Sequence, residues 1–201
     1  MNKTDIIFKN NSDIESFSRG YINHLINILS LISEKQIKEF VDTLMKAREV
    51  GSTIYFAGNG GSAATASHFA NDIGIGTKPK NKYFRAVSLC ENQSVITAIA
   101  NDYGYEYIFS KQLEVVINKN DVLVLISASG NSKNLLLAAE LAKLKGATTV
   151  GLTAFNGGDL AKLVDVSVHI PTEVGEYGVA EDAHMVLDHL ISNYLMRFLK
   201  K

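Results

Sequence analysis

Two short stretches of the 201-residue sequence carry side chains whose types and spacing suit proton transfer or metal binding. In YFAGNGGSAATASHFAND (55–72), His68 and Asp72 stand i, i+4 and therefore share one face of a helix. In AEDAHMVLDH (180–189), Glu181 and His189 are eight residues apart, about 80° around an axis with 3.6 residues per turn. His184 lies between them, so three of the five histidines fall in two acid-rich helical segments. A carboxylate and an imidazole brought together serve as base and acid for moving a proton beside a carbonyl. Two imidazoles with two carboxylates suit a divalent metal equally well, zinc being the first choice. Spacing leaves both chemistries open, beside the plainer possibility that these histidines are surface or core residues and EVGEYGVAED (173–182) a solvated acidic loop. His24 and His169 read as structural.

Any such group needs a substrate cradle, and two loops offer one. Gly58-Asn59-Gly60-Gly61-Ser62 follows an apolar run and opens a helix. Glycines there let backbone N–H groups approach an anion, and the helix N-terminus adds partial positive charge. Gly58, Gly60 and Ala63 also satisfy the loose dinucleotide pattern G-x-G-x-x-A. That reading expects an acidic residue about 20 positions after the glycines, whereas Glu91 lies thirty beyond Gly61. No Gly-Lys-Ser/Thr follows, which excludes a Walker A loop. The second loop, SASGNS (127–132), places Ser127, Ser129 and Ser132 between a buried run and a helix. Capping that helix takes one hydroxyl; three hydroxyls with helix N-terminal amides surround a phosphate without any basic side chain. Two cradles suit a sugar phosphate better than a nucleotide.

The elements that must position these loops follow from periodicity. Runs at 52–58, 84–89, 121–127, 148–153 and 165–170 are short, apolar and rich in β-branched residues, and amphipathic stretches such as 132–145 fall between them. This alternation predicts βαβ units and a doubly wound α/β fold, a five-stranded parallel sheet with helices on both faces. Ligands in such sheets sit at the carboxyl ends of the strands, where both loops lie. Residues 178–199 form a long final helix. Two helices precede the sheet, with Ser12/Glu15 and Ser33/Gln36 as capping boxes. In the second, Ile37, Phe40, Val41, Leu44 and Met45 mark one buried face. The first carries Ile22, Leu25, Ile26, Ile28, Leu29, Leu31 and Ile32, more than one stripe. It is therefore either wrapped within its own subunit or part of a subunit interface.

Composition bounds the rest. The chain is 46% hydrophobic with a formal net charge of −1 and no Lys/Arg block, so it offers no electrostatic footprint for nucleic acid. One cysteine, Cys90, excludes an intrachain disulfide and fits a reducing cytoplasm. The run LINILSLI (25–32) is too short to span a membrane, and MNKTDIIFKNN lacks a secretory apolar region. Length and the lack of a linker favour one domain over 1–201, with the N-terminal helices of 10–50 as its candidate subunit interface.

AGNGGSAATASHFA, AIANDYGYEYIFSKQ, ISASGNS and the histidine-bearing final helix, in that order, resemble the phosphoheptose isomerases of the sugar isomerase (SIS) fold over roughly residues 10–199. The resemblance implies a flavodoxin-like SIS domain and interconversion of sedoheptulose 7-phosphate and D-glycero-D-manno-heptose 7-phosphate, for bacterial lipopolysaccharide core or capsule. It implies a homotetramer, which favours the interface reading of the first helix. Carried over by position, it makes Asp72 and His189 catalytic. Substrate contacts fall on Asn59, Gly60, Gly61, Ser62, Asp72, Asn101, Asp102, Ser127, Ala128, Ser129, Ser132 and Glu181. One zinc ion per subunit falls on His68, Asp72, Glu181 and His189. The chain departs from the family pattern at Asp72 (usually Glu), Glu181 (usually Gln), Ala128 (usually Thr) and near Gly76 (usually Arg). Relatives of a different class bind a replication initiator without catalysis, or sense sugar phosphates in regulators. The former lack the helix carboxylate and final histidine, and the latter carry a DNA-binding segment.

Overall fold

The computed structural model describes residues 1–10 and 12–200; Asn11 and Lys201, within the 1–201 expected as one domain, lie outside them. Five strands form one sheet: β1 (Thr53–Gly58), β2 (Arg85–Ser88), β3 (Val122–Ser127), β4 (Thr148–Thr153) and β5 (Val166–His169). The order is β2-β1-β3-β4-β5, every pair is parallel, and Gly58 of β1 sits opposite Ile126 of β3. All five strands lie within the apolar runs of the sequence. β1 and β3 are buried along their whole length, as strands covered on both faces must be.

The helices are α1 (Lys3–Asn10), α2 (Ile14–Ser30), α3 (Glu34–Val50), α4 (Gly61–Asn71), α5 (Gln93–Asp102), α6 (Ser110–Val116), α7 (Lys133–Leu144), α8 (Leu160–Leu163) and α9 (Tyr177–Phe198). Alternate strand residues feed two cores. Ile54, Phe56, Val122, Val124 and Ile126 pack against α2, α3, α4 and α9. Tyr55, Ala57, Leu123 and Leu125 pack against the layer built from α6, α7 and α8. Phe69 of α4 is fully buried between Phe40 of α3 and Phe56 of β1, with ring centroids 5.8 and 5.2 Å away. Truncating such an aromatic costs about 3–5 kcal/mol. Its burial fixes the rotation of α4 and so turns His68, its neighbour, away from the core.

The N-terminal region differs from expectation in detail. Both expected helices form, but α2 is capped by Asp13, whose carboxylate accepts from the Ser16 amide at 2.9 Å, rather than by Ser12. Ser33 caps α3 as its spacing predicts. The short α1 was not legible, being too brief for a periodic signal. It is held from outside: the buried Glu176 carboxylate accepts from the Thr4 amide and hydroxyl, both at 2.9 Å, and lies 3.0 Å from His24 Nε2. Burial raises the Glu176 pKa, but hydrogen bonds from Glu173, His24 and Thr4 outweigh it and hold the carboxyl below the usual range. His24 thus ties α2 to the start of α9. Among the described residues, no helix is long and apolar enough to cross a membrane.

Candidate active site

The chain reverses its direction of sheet growth between β1 and β3, which are neighbours although β2 lies between them in sequence. Ligands in open parallel sheets bind outside the strand ends at such a point. Both expected loops are there, one after β1 and one after β3. They line a cavity of about 110 Å³ with Asn59, Ser62, Ser127, Ala128, Ser129, Ser132, Tyr177 and Glu181. A larger groove of about 710 Å³ runs along the edge strand β2, lined by Tyr83, Arg85 and Glu91 among others, away from these loops.

The serine loop spends few of its hydroxyl hydrogens on itself. Ser127 Oγ accepts from the Gly130 amide at 3.1 Å and Ser129 Oγ from the Asn131 amide at 3.3 Å, which leaves both hydroxyl hydrogens free to donate. Ser132 occupies the N-cap position of α7 yet its side chain makes no capping bond. Gly130 has φ +65°, and a Cβ there would collide with the Gly157 carbonyl, so only glycine closes the turn. No lysine or arginine lines the cavity. Asn59 is fixed from two sides: its amide pairs reciprocally with that of Asn134 at 2.8 and 3.0 Å, and Tyr105 donates to Asn59 Oδ1 at 2.8 Å.

The helix-borne residues converge where α4 packs on α9. His68 Nε2 lies 3.2 Å from His189 Nε2 and 3.6 Å from Asp72 Oδ2. The imidazole planes meet at 76°. Asp72 ends α4 and begins a π-helical turn, Asp72–Gly76, a widening of the coil frequent at functional sites. Asp72 also lines a second cavity of about 240 Å³, with Gly76, Lys78, Ser192, Asn193 and Met196.

Of the four residues expected to share a metal, three come together and Glu181 does not. The carboxylate of Glu181 stands against Gly61, where a Cβ would overlap it, so it belongs to the loop cavity. Its place in the group is taken by Asp188: one ligand atom each from His68, Asp72, Asp188 and His189 lie within 4.8 Å of one another. The reason is position along the helix axis. Asp188 follows Glu181 by seven residues, so both share a face of α9, but about 10 Å apart along the axis. Asn101 and Asp102 end α5 exposed and hydrogen-bonded to each other at 2.8 Å, and neither lines the loop cavity.

Asp188 escaped the sequence reading, and His184 entered it only as one histidine of the final helix, although a signal of their burial was present. The buried positions of α9 run Val179, Ala180, Ala183, His184, Leu187, Asp188, Ile191, Ser192 and Leu195. A histidine and a carboxylate therefore occupy the apolar stripe itself. Both are 0% exposed, and neither carboxylate oxygen of Asp188 has a hydrogen-bond partner among the described residues. Burial pushes the His184 imidazole down to about 4. Burial, with the Asp72 charge, pushes the Asp188 carboxyl up to about 8.

These residues fit a divalent metal. Two imidazole nitrogens face each other, and two carboxylates stand within reach. One carboxylate is buried with both oxygens unsatisfied, a cost that a cation removes.

Residues 20–154 match the SIS domain family. A phosphoheptose isomerase from Helicobacter pylori (strain P12) is 38% identical over 164 residues, which cover 82% of this chain and 84% of that protein. One from Aneurinibacillus thermoaerophilus is 34% identical over 183 residues, covering 89% and 91%. Among solved structures, a phosphoheptose isomerase from Neisseria gonorrhoeae superposes with a TM-score of 0.81 at 27% identity, over 91% of this chain and 98% of that one.

Proposed function

The chain belongs to the phosphoheptose isomerases of the SIS domain family, and from that premise we propose that it interconverts sedoheptulose 7-phosphate and D-glycero-D-manno-heptose 7-phosphate. The observation that carries the reading is the convergence of Asp72 and His189 on facing helices, in a chain whose strand-end cavity is lined by three serines and no basic residue. Ser127, Ser129 and Ser132 donate to the phosphate, aided by the amides that open α7. Asn59, Gly60, Gly61 and Ser62 border the sugar, and the Glu181 carboxylate accepts from its hydroxyls.

In the ketose-to-aldose direction Asp72 takes a proton from C1 while His189 protonates the carbonyl oxygen at C2, giving a cis-enediol. Return of a proton to C2 and loss of the C1 hydroxyl proton leave the aldehyde. Paired acid–base groups of this kind contribute about 10²–10⁴ in rate. A zinc ion held by the His/Asp group would instead polarise the two oxygens as a Lewis acid, with Asp72 and His189 then serving as its ligands. The product enters bacterial heptose synthesis, for lipopolysaccharide core or capsule, in the cytoplasm. The working enzyme is a homotetramer that buries the apolar outer face of α2.

The test is a coupled turnover assay with sedoheptulose 7-phosphate, on metal-stripped protein and again with zinc. Turnover raised by zinc assigns the metal a role, and turnover indifferent to zinc leaves acid–base catalysis by Asp72 and His189. The variant His189→Ala is expected to lose turnover with its circular dichroism unchanged. No turnover from folded wild-type protein in either condition overturns the reading.

A further inference from the structure

We propose that Tyr177 is a further substrate-binding residue, its phenol hydroxyl joining the three serines as a donor to the substrate's phosphate. The inference deepens the isomerase reading and rests on it for the identity of the substrate, though not for the binding of phosphate.

Three observations carry it. First, Tyr177 forms part of the wall of the strand-end cavity, together with Ser127, Ser129, Ser132 and Glu181. It is the first residue of α9, so this wall comes from an element to which neither loop belongs. No lysine or arginine lines the cavity. A phosphate held there depends on neutral donors, and each hydroxyl adds a bond strengthened by the charge of its acceptor.

Second, the hydroxyl of Tyr177 is unspent. Tyr21 donates to Asp182 at 2.6 Å, Tyr55 to the Val116 carbonyl at 3.0 Å and Tyr105 to Asn59 at 2.8 Å. Among the described residues, none engages the Tyr177 hydroxyl in this way.

Third, the side chain is 56% exposed, yet its position is fixed from two sides. Phe155 meets the ring edge-on, with centroids 5.0 Å apart and planes at 85°. Phe155 itself has φ +55°, a left-handed conformation that a bulky residue rarely adopts. It is held there by the Gly157 amide donating to the Ala154 carbonyl at 2.8 Å, and by its own amide donating to Thr172 Oγ1 at 3.4 Å. On the other side, Glu176 spends its carboxylate on Thr4 and His24 and makes no capping bond to α9, which ties down the backbone that carries the ring. Such strain persists only where the surroundings over-determine it, and it clusters at ligand clamps. An aromatic held this way at a cavity wall is oriented before a ligand arrives.

The experiment is a calorimetric titration of the full-length protein with inorganic phosphate at constant ionic strength, paired with turnover of sedoheptulose 7-phosphate. Tyr177→Phe keeps the ring and its contact with Phe155 and removes only the hydroxyl. It should weaken phosphate binding about tenfold, the worth of one hydrogen bond to a charged group. KM should rise by a like factor with kcat within about twofold of wild type, the pattern of binding lost equally from ground and transition states. Phe155→Leu should weaken phosphate roughly threefold in the wild-type background and have no further effect beside Tyr177→Phe, since it acts through the orientation of that hydroxyl. Wild-type phosphate affinity in Tyr177→Phe, a loss of kcat at unchanged KM, or no phosphate binding by wild-type protein would each overturn the assignment. Additive effects of the two substitutions would overturn the positioning by Phe155. Wild-type protein that binds phosphate tenfold better than Tyr177→Phe, yet turns over no heptulose phosphate, would sustain the assignment and fail the isomerase reading alone.

Discussion

His68 and His189 are 121 residues apart in the chain, yet their Nε2 atoms face each other at 3.2 Å across the contact of α4 with α9. Packing produces the meeting. Phe69 points into the aromatic cluster and turns His68 outward, while Leu187 and Ile191 face the core and set the phase that carries His189 to the surface. Two neutral imidazoles in that position share one N–H or a common cation, whereas two protonated rings would repel.

Ser132 separates a capping role from a binding role. Replacing an N-cap serine by alanine ordinarily costs about 1 kcal/mol. Here the hydroxyl caps nothing, so Ser132→Ala should stay within about 0.5 kcal/mol of wild type in urea melts. Its KM for the heptulose phosphate should rise roughly tenfold, the worth of one hydrogen bond to a charged group. A full capping cost with unchanged KM would assign the serine to the helix alone.

Gly61 and Glu181 should be coupled. A Cβ at position 61 overlaps the Glu181 carboxylate, so Gly61→Ala should destabilise by about 1–3 kcal/mol, as overpacking does. The double variant Gly61→Ala/Glu181→Ala should recover part of that loss. Additive single effects in a double-mutant cycle would show that the carboxylate does not stand there.

The sheet was legible because each strand is a short β-branched run bounded by polar loops, and no tertiary contact competes with that pattern. The loops were legible because glycines and serines cluster where a strand meets a helix. Asp188 was not: its neighbour His189 drew the acid–base reading outward, and Glu181 satisfied the resemblance. Only the two-turn register of buried positions on α9 separates Glu181 from Asp188, and register along a helix axis depends on how the helix docks. The α1 helix was hidden for a related reason, since Glu176, 172 residues away from Thr4, holds its first turn.

His184 should leave an acid signature on stability. Burial lowers its folded pKa to about 4, so between about pH 6.5 and 4 the unfolded chain takes up a proton that the folded protein refuses. The stability it confers is full above pH 6.5 and falls with pH by at most about 3 kcal/mol. In metal-free protein Asp188 acts oppositely, because its raised pKa makes the folded state the better proton binder. The informative quantity is thus the difference between wild type and His184→Leu, which should rise with pH over this window and level off above it. A flat difference in urea melts would mean that His184 titrates normally.

The outer face of α2 should report assembly. Ile22 and Ile26 are 55% and 57% exposed one turn apart, while Ile28 is buried. Ile22→Glu/Ile26→Glu should leave the circular dichroism intact and reduce the mass seen by light scattering. An unchanged mass would place the subunit contact elsewhere.

The docking of α9 on α4 also has a meaning in time. Every strand precedes α9 along the chain, so α4 and its His68 are laid down with the first βα unit and wait through the rest of synthesis for their counterpart. A cation captured by both helices would work as a clasp, fastening the last-made segment to one of the first. Unfastening it with a chelator should free α9 before the sheet gives way, seen as faster amide exchange confined to that helix.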